Sequence, residues 1–146
     1  KKELGVKVQV CTLTASNARK EVYIHSKVTI IDDVFTVISS ANLNTRSMQV
    51  DTELGIFTEN GEVARKLRKD LWKLHTRDLH KANNAAGKFD NAANPEAMND
   101  PSVAIMAFKR WQIIMDENKK QIINGKPPLH PLCEFLRLDP KVSRLD

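Results

Sequence analysis

The sequence has 146 residues, the size of one domain, with 41% hydrophobic residues and a formal net charge of +5. No apolar run approaches the ~18 residues that a membrane-spanning helix needs. The positive charge favours anionic partners such as phosphate groups or nucleic acid, although a solvated basic helix face explains the same composition. Cys11 and Cys133 have neither metal-ligand nor redox spacing, so we expect two free thiols.

The first half of the chain predicts a sheet that contains a β-hairpin. Alternating or β-branched runs predict strands over residues 6–14, 22–31, 35–41 and 52–57. Asp32 and Asp33 separate the second and third runs as a two-residue turn. Residues 15–20 are polar and predict a turn, and residues 42–49 predict a polar loop.

The second half predicts two helices. Asn60 is a plausible N-cap for an amphipathic helix that ends between His75 and Leu79. A second helix is predicted from about residue 102 to 124, where Gly125 and the following proline stop it. The predicted organisation is a domain over 1–80, a loop or linker over 81–101, and a helix with an irregular tail over 102–146 that packs on the domain.

Four polar residues flank the predicted hairpin at alternating positions. His25 and Lys27 are two residues apart, and so are Ser40 and Asn42. With a two-residue turn, Lys27 would pair with Ile38 and His25 with Ser40, which places the four on one face. The other face would carry the apolar core residues Val22, Ile24, Val28, Ile30, Phe35 and Val37.

These residue types suit a phosphodiester. A lysine supplies positive charge to the nonbridging oxygens, and serine and asparagine donate to charge that develops on phosphorus. Histidine acts near neutral pH as a nucleophile or as a general acid and base. A carboxylate that accepts the other ring N–H would fix the tautomer, and Asp51 and Glu53 are the candidates. The remaining histidines and the cysteines do not have the spacing of a metal-ligand cluster.

The motif reads His, any residue, Lys, four residues, Asp, then six residues and Ser-Ser-any-Asn. It resembles the second-half motif of the phospholipase D superfamily over residues 22–74. By that resemblance His25 is a catalytic histidine, and Lys27 and Asn42 hold phosphate. Ser40 supports the site, and Glu53 orients the histidine.

Two further residues matter to the resemblance. Asp32 is the buttressing carboxylate of the motif, while Ser39 departs from it because glycine is usual there.

The fold class implied is α/β, the C-terminal half of a phospholipase D-type fold, with a mixed β-sheet flanked by helices. A helical and irregular C-terminal extension would follow.

Superfamily sites consist of two such motifs that face each other. One histidine attacks phosphorus and forms a phosphohistidine, and the other protonates the leaving alcohol and then activates water or an acceptor alcohol. This chain has one motif, with 24 residues before His25, so we expect the C-terminal half of a two-motif enzyme. His25 would then be the general acid and base. In the alternative, a one-motif homodimer, two copies of His25 would share both roles.

The resemblance implies a phospholipase D acting on glycerophospholipids at a membrane surface, since residues 46–48 and 51–53 resemble the lipid-acting branch. No cofactor would be required, although some relatives bind calcium away from the chemistry. The expected partner is the other motif half, and nucleic acid is not expected. Alternatives are a phosphatidyltransferase of the cardiolipin synthase type, a nuclease, or a non-catalytic interaction module.

The region around Trp72 and Trp111 resembles phospholipase D-type lipase effectors that bacterial type VI secretion delivers, although both tryptophans are also explained as ordinary packing aromatics. An effector would be secreted, would act at a target-cell membrane or periplasm, and would have an immunity or delivery protein as partner.

Overall fold

The computed structural model describes residues 7–15, 22–77, 79 and 101–135, with residues 101–103 described by their backbone alone. The predicted linker over 81–100 lies outside the described residues, as do most of the predicted turn over 15–20 and the tail beyond 135. In chain order the elements are β1 (Cys11–Leu13), β2 (Lys27–Ile31), β3 (Phe35–Ser39), α1 (Thr45–Gln49), β4 (Gly55–Thr58), α2 (Gly61–Thr76), α3 (Pro101–Ile123) and β5 (Leu132–Glu134).

The chain divides into two compact units. Within the described residues, the motif unit comprises 24–70, and the tail unit comprises 7–15, 22–23, 71–77, 79 and 101–135. Each unit contains strands and at least part of a helix, which confirms the α/β class. All strand pairs within the described residues are antiparallel. No described helix is long and apolar enough to cross a membrane.

The sheet of the motif unit has the order β2-β3-β4, and its first two strands form the predicted hairpin. Asp32 and Asp33 have positive φ angles of 49° and 56°, as a tight hairpin turn requires of both central residues. Aspartate is one of the few residue types that tolerate this left-handed region. The Val34 N–H donates to the Ile31 carbonyl at 3.0 Å and closes the turn. The turn therefore lies at the predicted position, although it includes Val34 as a third residue.

The strand register differs from the prediction by one residue. Val34 lies in the turn rather than in β3, so the ladder begins one residue later than predicted. Lys27 consequently pairs with Ser39. His25 precedes β2, and the ladder begins with Lys27 opposite Ser39, so the predicted pairing of His25 with Ser40 does not fit this register and is wrong.

The predicted apolar face of the hairpin is also wrong, because one extra residue in the turn reverses the alternation of the second strand. Paired residues share a face, so Val28 lies with Ile38, while Val37 lies with Thr29 on the other side. Residues 22–26 are exposed and form no core at this point of the chain.

A buried ion pair joins the hairpin turn to α2. Arg68 Nε donates to Asp33 Oδ1 at 2.6 Å, and a terminal nitrogen of the same guanidinium donates to Asp33 Oδ2 at 2.8 Å. The two side chains are 4% and 2% exposed. The first residue of α2 lies against the same turn, since a Cβ on Gly61 would stand 3.1 Å from the Asp33 carbonyl oxygen.

Both predicted helices are confirmed, and a third was not predicted. Asn60 Oδ1 accepts from the second and third backbone N–H groups of α2 at 3.0 and 3.2 Å, as expected of an N-cap. α3 ends before Gly125, whose φ of 73° is left-handed. The additional helix, α1, lies inside the segment 42–49, where a loop was predicted. Asn44 is its N-cap and accepts from the Ser47 N–H at 2.8 Å.

The tail unit is built on α3 and a two-stranded sheet of β1 and β5. Ile114, Met115 and Leu132 form its buried core. The rings of Trp72 and Trp111 pack edge to face, with centroids 5.2 Å apart. β5 lies where an irregular tail was predicted, so that prediction is wrong for these residues. The two cysteines are free thiols, as predicted.

A fully buried asparagine on α3 holds the segment before β5. The Asn118 amide nitrogen donates to the carbonyls of His130 and Leu132 at 2.8 and 2.7 Å. Its oxygen accepts from the backbone N–H groups of Leu129 and His130 at 2.7 and 3.2 Å. Each hydrogen-bonding atom of the side chain is thus used twice, which offsets the cost of burying a polar group.

We expect Asn118→Ala to lower the free energy of unfolding by about 3 kcal/mol, because it leaves several buried backbone groups without a partner. Urea denaturation followed by circular dichroism measures the change. Lys120→Ala, at an exposed position of the same helix, is the control and should change stability little. Equal stability of the two variants would show that the asparagine does not hold this segment.

Candidate active site

The predicted catalytic histidine stands immediately before β2. His25 is exposed, and Lys27, the first residue of the strand, is half-buried. The Lys27 ammonium donates to the His25 backbone oxygen at 2.9 Å. The lysine charge therefore lies beside the backbone of His25, two residues earlier in the chain.

Ser40 connects the end of β3 to the segment that precedes β4. Its backbone N–H donates to the Leu54 carbonyl at 2.9 Å, and the Leu54 N–H donates to the Ser40 hydroxyl oxygen at 3.0 Å. The same hydroxyl donates to the Glu53 carboxylate. Ser40 thus uses its backbone and its side chain to fix Glu53 beside the end of β3, which agrees with the supporting role that the motif implies.

The Glu53 carboxylate lies among donors and positive charge. The hydrogen bond from Ser40, and next to it Ser47, lowers the pKa of Glu53; desolvation opposes this, and the positive charges of Lys27 and Arg46 lower the pKa by smaller amounts. Glu53 is therefore ionised at neutral pH and is a hydrogen-bond acceptor. The Ser40 hydroxyl thus contacts the Glu53 carboxylate directly, and the Lys27 charge acts on it electrostatically.

The short helix α1 supplies two of these groups. It begins at the Asn44 cap and carries Arg46 and Ser47. Arg46 Nε forms an ion pair with Asp51 Oδ2 at 2.8 Å. Asp51 was one of two candidates for orienting the histidine, and its carboxylate is engaged by this arginine. Glu53 is the better candidate on that ground.

Asn42 and Asp32 complete the predicted set. Asn42 is exposed in the loop between β3 and α1, two residues after Ser40. Asp32 is exposed at the hairpin turn, five residues from Lys27, which is about 16 Å along a strand. The carboxylate that braces the turn is Asp33, through its ion pair with α2. The buttress that the motif implies at Asp32 is therefore found one residue later in the described structure.

The serine that departs from the motif is accommodated by a glycine on the next strand. Ser39 pairs with Gly55, and a Cβ added to Gly55 would lie 2.9 Å from the Ser39 Cβ. Real Cβ atoms do not approach this closely, so only one of the two positions has room for a side chain. The glycine therefore provides the space that Ser39 needs.

The sequence did not predict the ion pair between Arg46 and Asp51 near the site or the ion pair between Asp33 and Arg68 at the hairpin turn. Among the residues that the structure describes, no group of three or more His, Cys, Asp or Glu side chains could hold a metal ion.

A family model described as "Cardiolipin synthase, PLD-like domain" matches residues 1–75. The chain belongs to the phospholipase D-like family. The matched range contains every residue predicted for the site, from His25 to Glu53.

Relatives of this phospholipase D-like chain include plant and amoebal proteins. Phospholipase D alpha 2 of Oryza sativa subsp. japonica is 31% identical over 133 residues, which is 81% of this chain and 15% of that protein. Phospholipase D alpha 4 of Arabidopsis thaliana is 43% identical over 67 residues, or 41% of this chain and 9% of that protein. Phospholipase D B of Dictyostelium discoideum is 36% identical over 73 residues, or 38% of this chain and 6% of that protein. No solved structure matches the chain.

The Ser39–Gly55 pair can be tested by exchanging the side chain between the strands. Gly55→Ala should destabilise the chain by about 1–3 kcal/mol, because the added methyl overpacks the contact. Adding Ser39→Gly to that variant should recover most of the loss, less the small cost of a strand glycine. Thermal unfolding of the three variants and the wild type gives the coupling. A double variant no more stable than Gly55→Ala would show that the two positions do not share one space.

Proposed function

We propose that this chain supplies one histidine–lysine half of a phospholipase D-type active site that hydrolyses the distal phosphodiester of glycerophospholipids. The observation that carries the proposal is the arrangement of the motif residues at the strand ends: the Lys27 ammonium lies against the His25 backbone oxygen, and the Ser40 hydroxyl donates to the Glu53 carboxylate. The names of the relatives, all phospholipases D, support the same substrate class.

The phosphate would be bound by charge and by hydrogen bonds. The Lys27 ammonium has three donors and uses one on the His25 backbone oxygen, so it retains donors for the nonbridging oxygens. Asn42 is exposed close to Ser40 in the chain and would donate to the same oxygens. Donors placed before the reaction stabilise charge that develops on phosphorus without reorganisation.

His25 would act as the general acid and base. A histidine of the other motif half attacks phosphorus, and the bond from phosphorus to the head-group oxygen breaks as His25 gives that oxygen a proton. His25 then takes a proton from water, which attacks the phosphohistidine and releases phosphatidic acid. Glu53 would accept the other ring N–H of His25 and stabilise the imidazolium form.

A second motif half would complete the site. The chain contains one motif and spans 15% of the rice relative, and the second half would come from the same polypeptide or from another copy of the chain. We expect the purified 146-residue chain to be inactive and the assembly with both halves to be active. A stable, active monomer of the chain alone would contradict this.

A phosphatidyltransferase is the second candidate, because the matched family model is described as cardiolipin synthase. The same site would serve if an alcohol, rather than water, attacked the phosphohistidine. Assays with phosphatidylglycerol as acceptor and with labelled DNA separate the transferase and nuclease alternatives from the hydrolase by their products. Delivery by type VI secretion, the periplasmic or membrane location and an immunity partner remain predictions from the sequence resemblance.

In the assembly with both halves, His25→Ala should lower turnover of phosphatidylcholine by at least ~10²–10⁴, the range for losing general acid–base catalysis. Lys27→Ala should also lower turnover strongly, because it leaves the phosphate charge without compensation. Glu53→Gln should lower turnover less than His25→Ala does. The rate of choline release measures the turnover of all three variants.

The control is Thr29→Ala, an exposed position on the same strand, which should retain activity. A fully active His25→Ala variant would show that His25 is not the general acid and base. Cleavage of DNA without any action on phospholipid would show that the site is that of a nuclease.

A further inference from the structure

One side of α2 carries four positively charged side chains. With successive residues about 100° apart around a helix, these cations fall within about 100° of arc. They are Arg65, Lys66, Lys69 and Lys73, which together we call the basic face. The first two are exposed and the last two half-buried. Ala64 and Arg68, only 0% and 3% exposed, lie on the opposite side of the helix.

The ion pairs of the basic face do not use up its charge. Lys66 Nζ is 2.6 Å from Asp70 Oδ2, in a pair whose side chains are 79% and 56% exposed. Arg65 Nε lies 3.8 Å from an Asp33 oxygen, but Arg68 already neutralises that carboxylate with two hydrogen bonds. Exposed pairs of this kind contribute little free energy, so a phosphate group can take the place of the carboxylate.

The charge balance of the surrounding segment is positive. Residues 62–77 contain six Lys or Arg and two acidic residues, Glu62 and Asp70. Arg77 is exposed directly after the helix and is one of the six. Because Arg68 is balanced by Asp33, five cations and two carboxylates remain, and the segment keeps an excess of three positive charges.

Apolar side chains border the basic face on one side. Val63 and Leu74 are 50% and 49% exposed. They are about three helical turns apart, so they lie on the same side of the helix. A cationic stripe beside exposed apolar residues is the pattern of a helix that lies in the interface of an anionic membrane.

We propose that the basic face of α2 is a docking surface for an anionic phospholipid bilayer, with its cations at the lipid phosphates and Val63 and Leu74 between the head groups. Nucleic acid would also satisfy the positive charge, but the phosphate backbone of a duplex offers no apolar partner to Val63 and Leu74. The choice of lipid also rests on the proposed function, because the substrate of that reaction lies in such a bilayer.

The first measurement is the partition of the 146-residue chain into vesicles, followed by sedimentation. The chain should bind vesicles that contain phosphatidylcholine and phosphatidylglycerol in equal parts, and should bind pure phosphatidylcholine vesicles weakly. Binding to the mixed vesicles should decrease as salt is added, because salt screens exposed charges.

Neutral substitutions in the basic face should weaken partition into the mixed vesicles. Each Lys or Arg near an anionic surface contributes about fivefold, so Lys69→Gln combined with Lys73→Gln should lower partition about 25-fold. Lys69→Arg combined with Lys73→Arg keeps the charge and should bind like the wild type. Lys66→Gln changes a side chain that is 79% exposed and should alone lower partition about fivefold.

The matched control removes two lysines from another helix. Lys109→Gln combined with Lys120→Gln changes two exposed positions of α3 and lowers the net charge by the same amount. This variant should retain most of the binding to mixed vesicles. A loss as large as that of the Lys69 and Lys73 double variant would show that net charge attracts the chain, and would overturn the docking surface.

The remaining outcomes separate docking from catalysis. A wild-type chain that does not bind mixed vesicles, or that binds duplex DNA and not vesicles, overturns the docking surface and leaves the proposed function standing. Binding through the basic face in an assembly of both motif halves that does not act on phospholipid supports the docking surface and overturns the proposed function instead.

In an active assembly, Lys69→Gln combined with Lys73→Gln should lower choline release from mixed vesicles more than from a water-soluble, short-chain phosphatidylcholine. An equal effect on the two substrates would overturn the docking surface.

Discussion

The motif unit depends on the buried ion pair between Asp33 and Arg68. Its two hydrogen bonds are 2.6 and 2.8 Å long, and both side chains are nearly inaccessible to solvent, so neither charge can be left without the other. The pair fixes the tip of the hairpin against a helix 35 residues further along the chain. With the turn held in this way, Val34 stays outside the ladder, and the register of β2 and β3 follows.

The register then determines the site. It places Lys27 opposite Ser39 and Ser39 opposite Gly55, where only one side chain fits. Ser40, one residue beyond β3, is left to bind the Leu54 backbone and the Glu53 carboxylate. The polar residues of the motif therefore meet at the strand ends, through backbone and side-chain hydrogen bonds, and not as a row on one face of a regular sheet.

The parts of this fold that could be predicted are those with a local signal. Two aspartates between β-branched runs predict the hairpin turn, and Asn60 before an amphipathic run predicts the start of α2. The register could not be predicted, because Val34 is as good a strand residue as its neighbours and only the folded turn excludes it. β5 could not be predicted either, because it is three residues long and its partner strand β1 is far away in the sequence.

The same distinction between local sequence signals and tertiary contacts applies to the site. The spacing of His25, Lys27, Ser40 and Asn42 is local and could be recognised, whereas the hydrogen bond from Ser40 to the Glu53 carboxylate joins residues 13 apart and forms only in the folded chain.

The most direct test of the account is to find the covalent intermediate in the assembly that contains both motif halves. Turnover of a phospholipid analogue is quenched in alkaline denaturant, and the peptides are mapped by mass spectrometry. The account predicts a phosphohistidine on the other motif half, which accumulates in His25→Ala when the leaving group needs no proton. Hydrolysis without a covalent adduct on any histidine would contradict it.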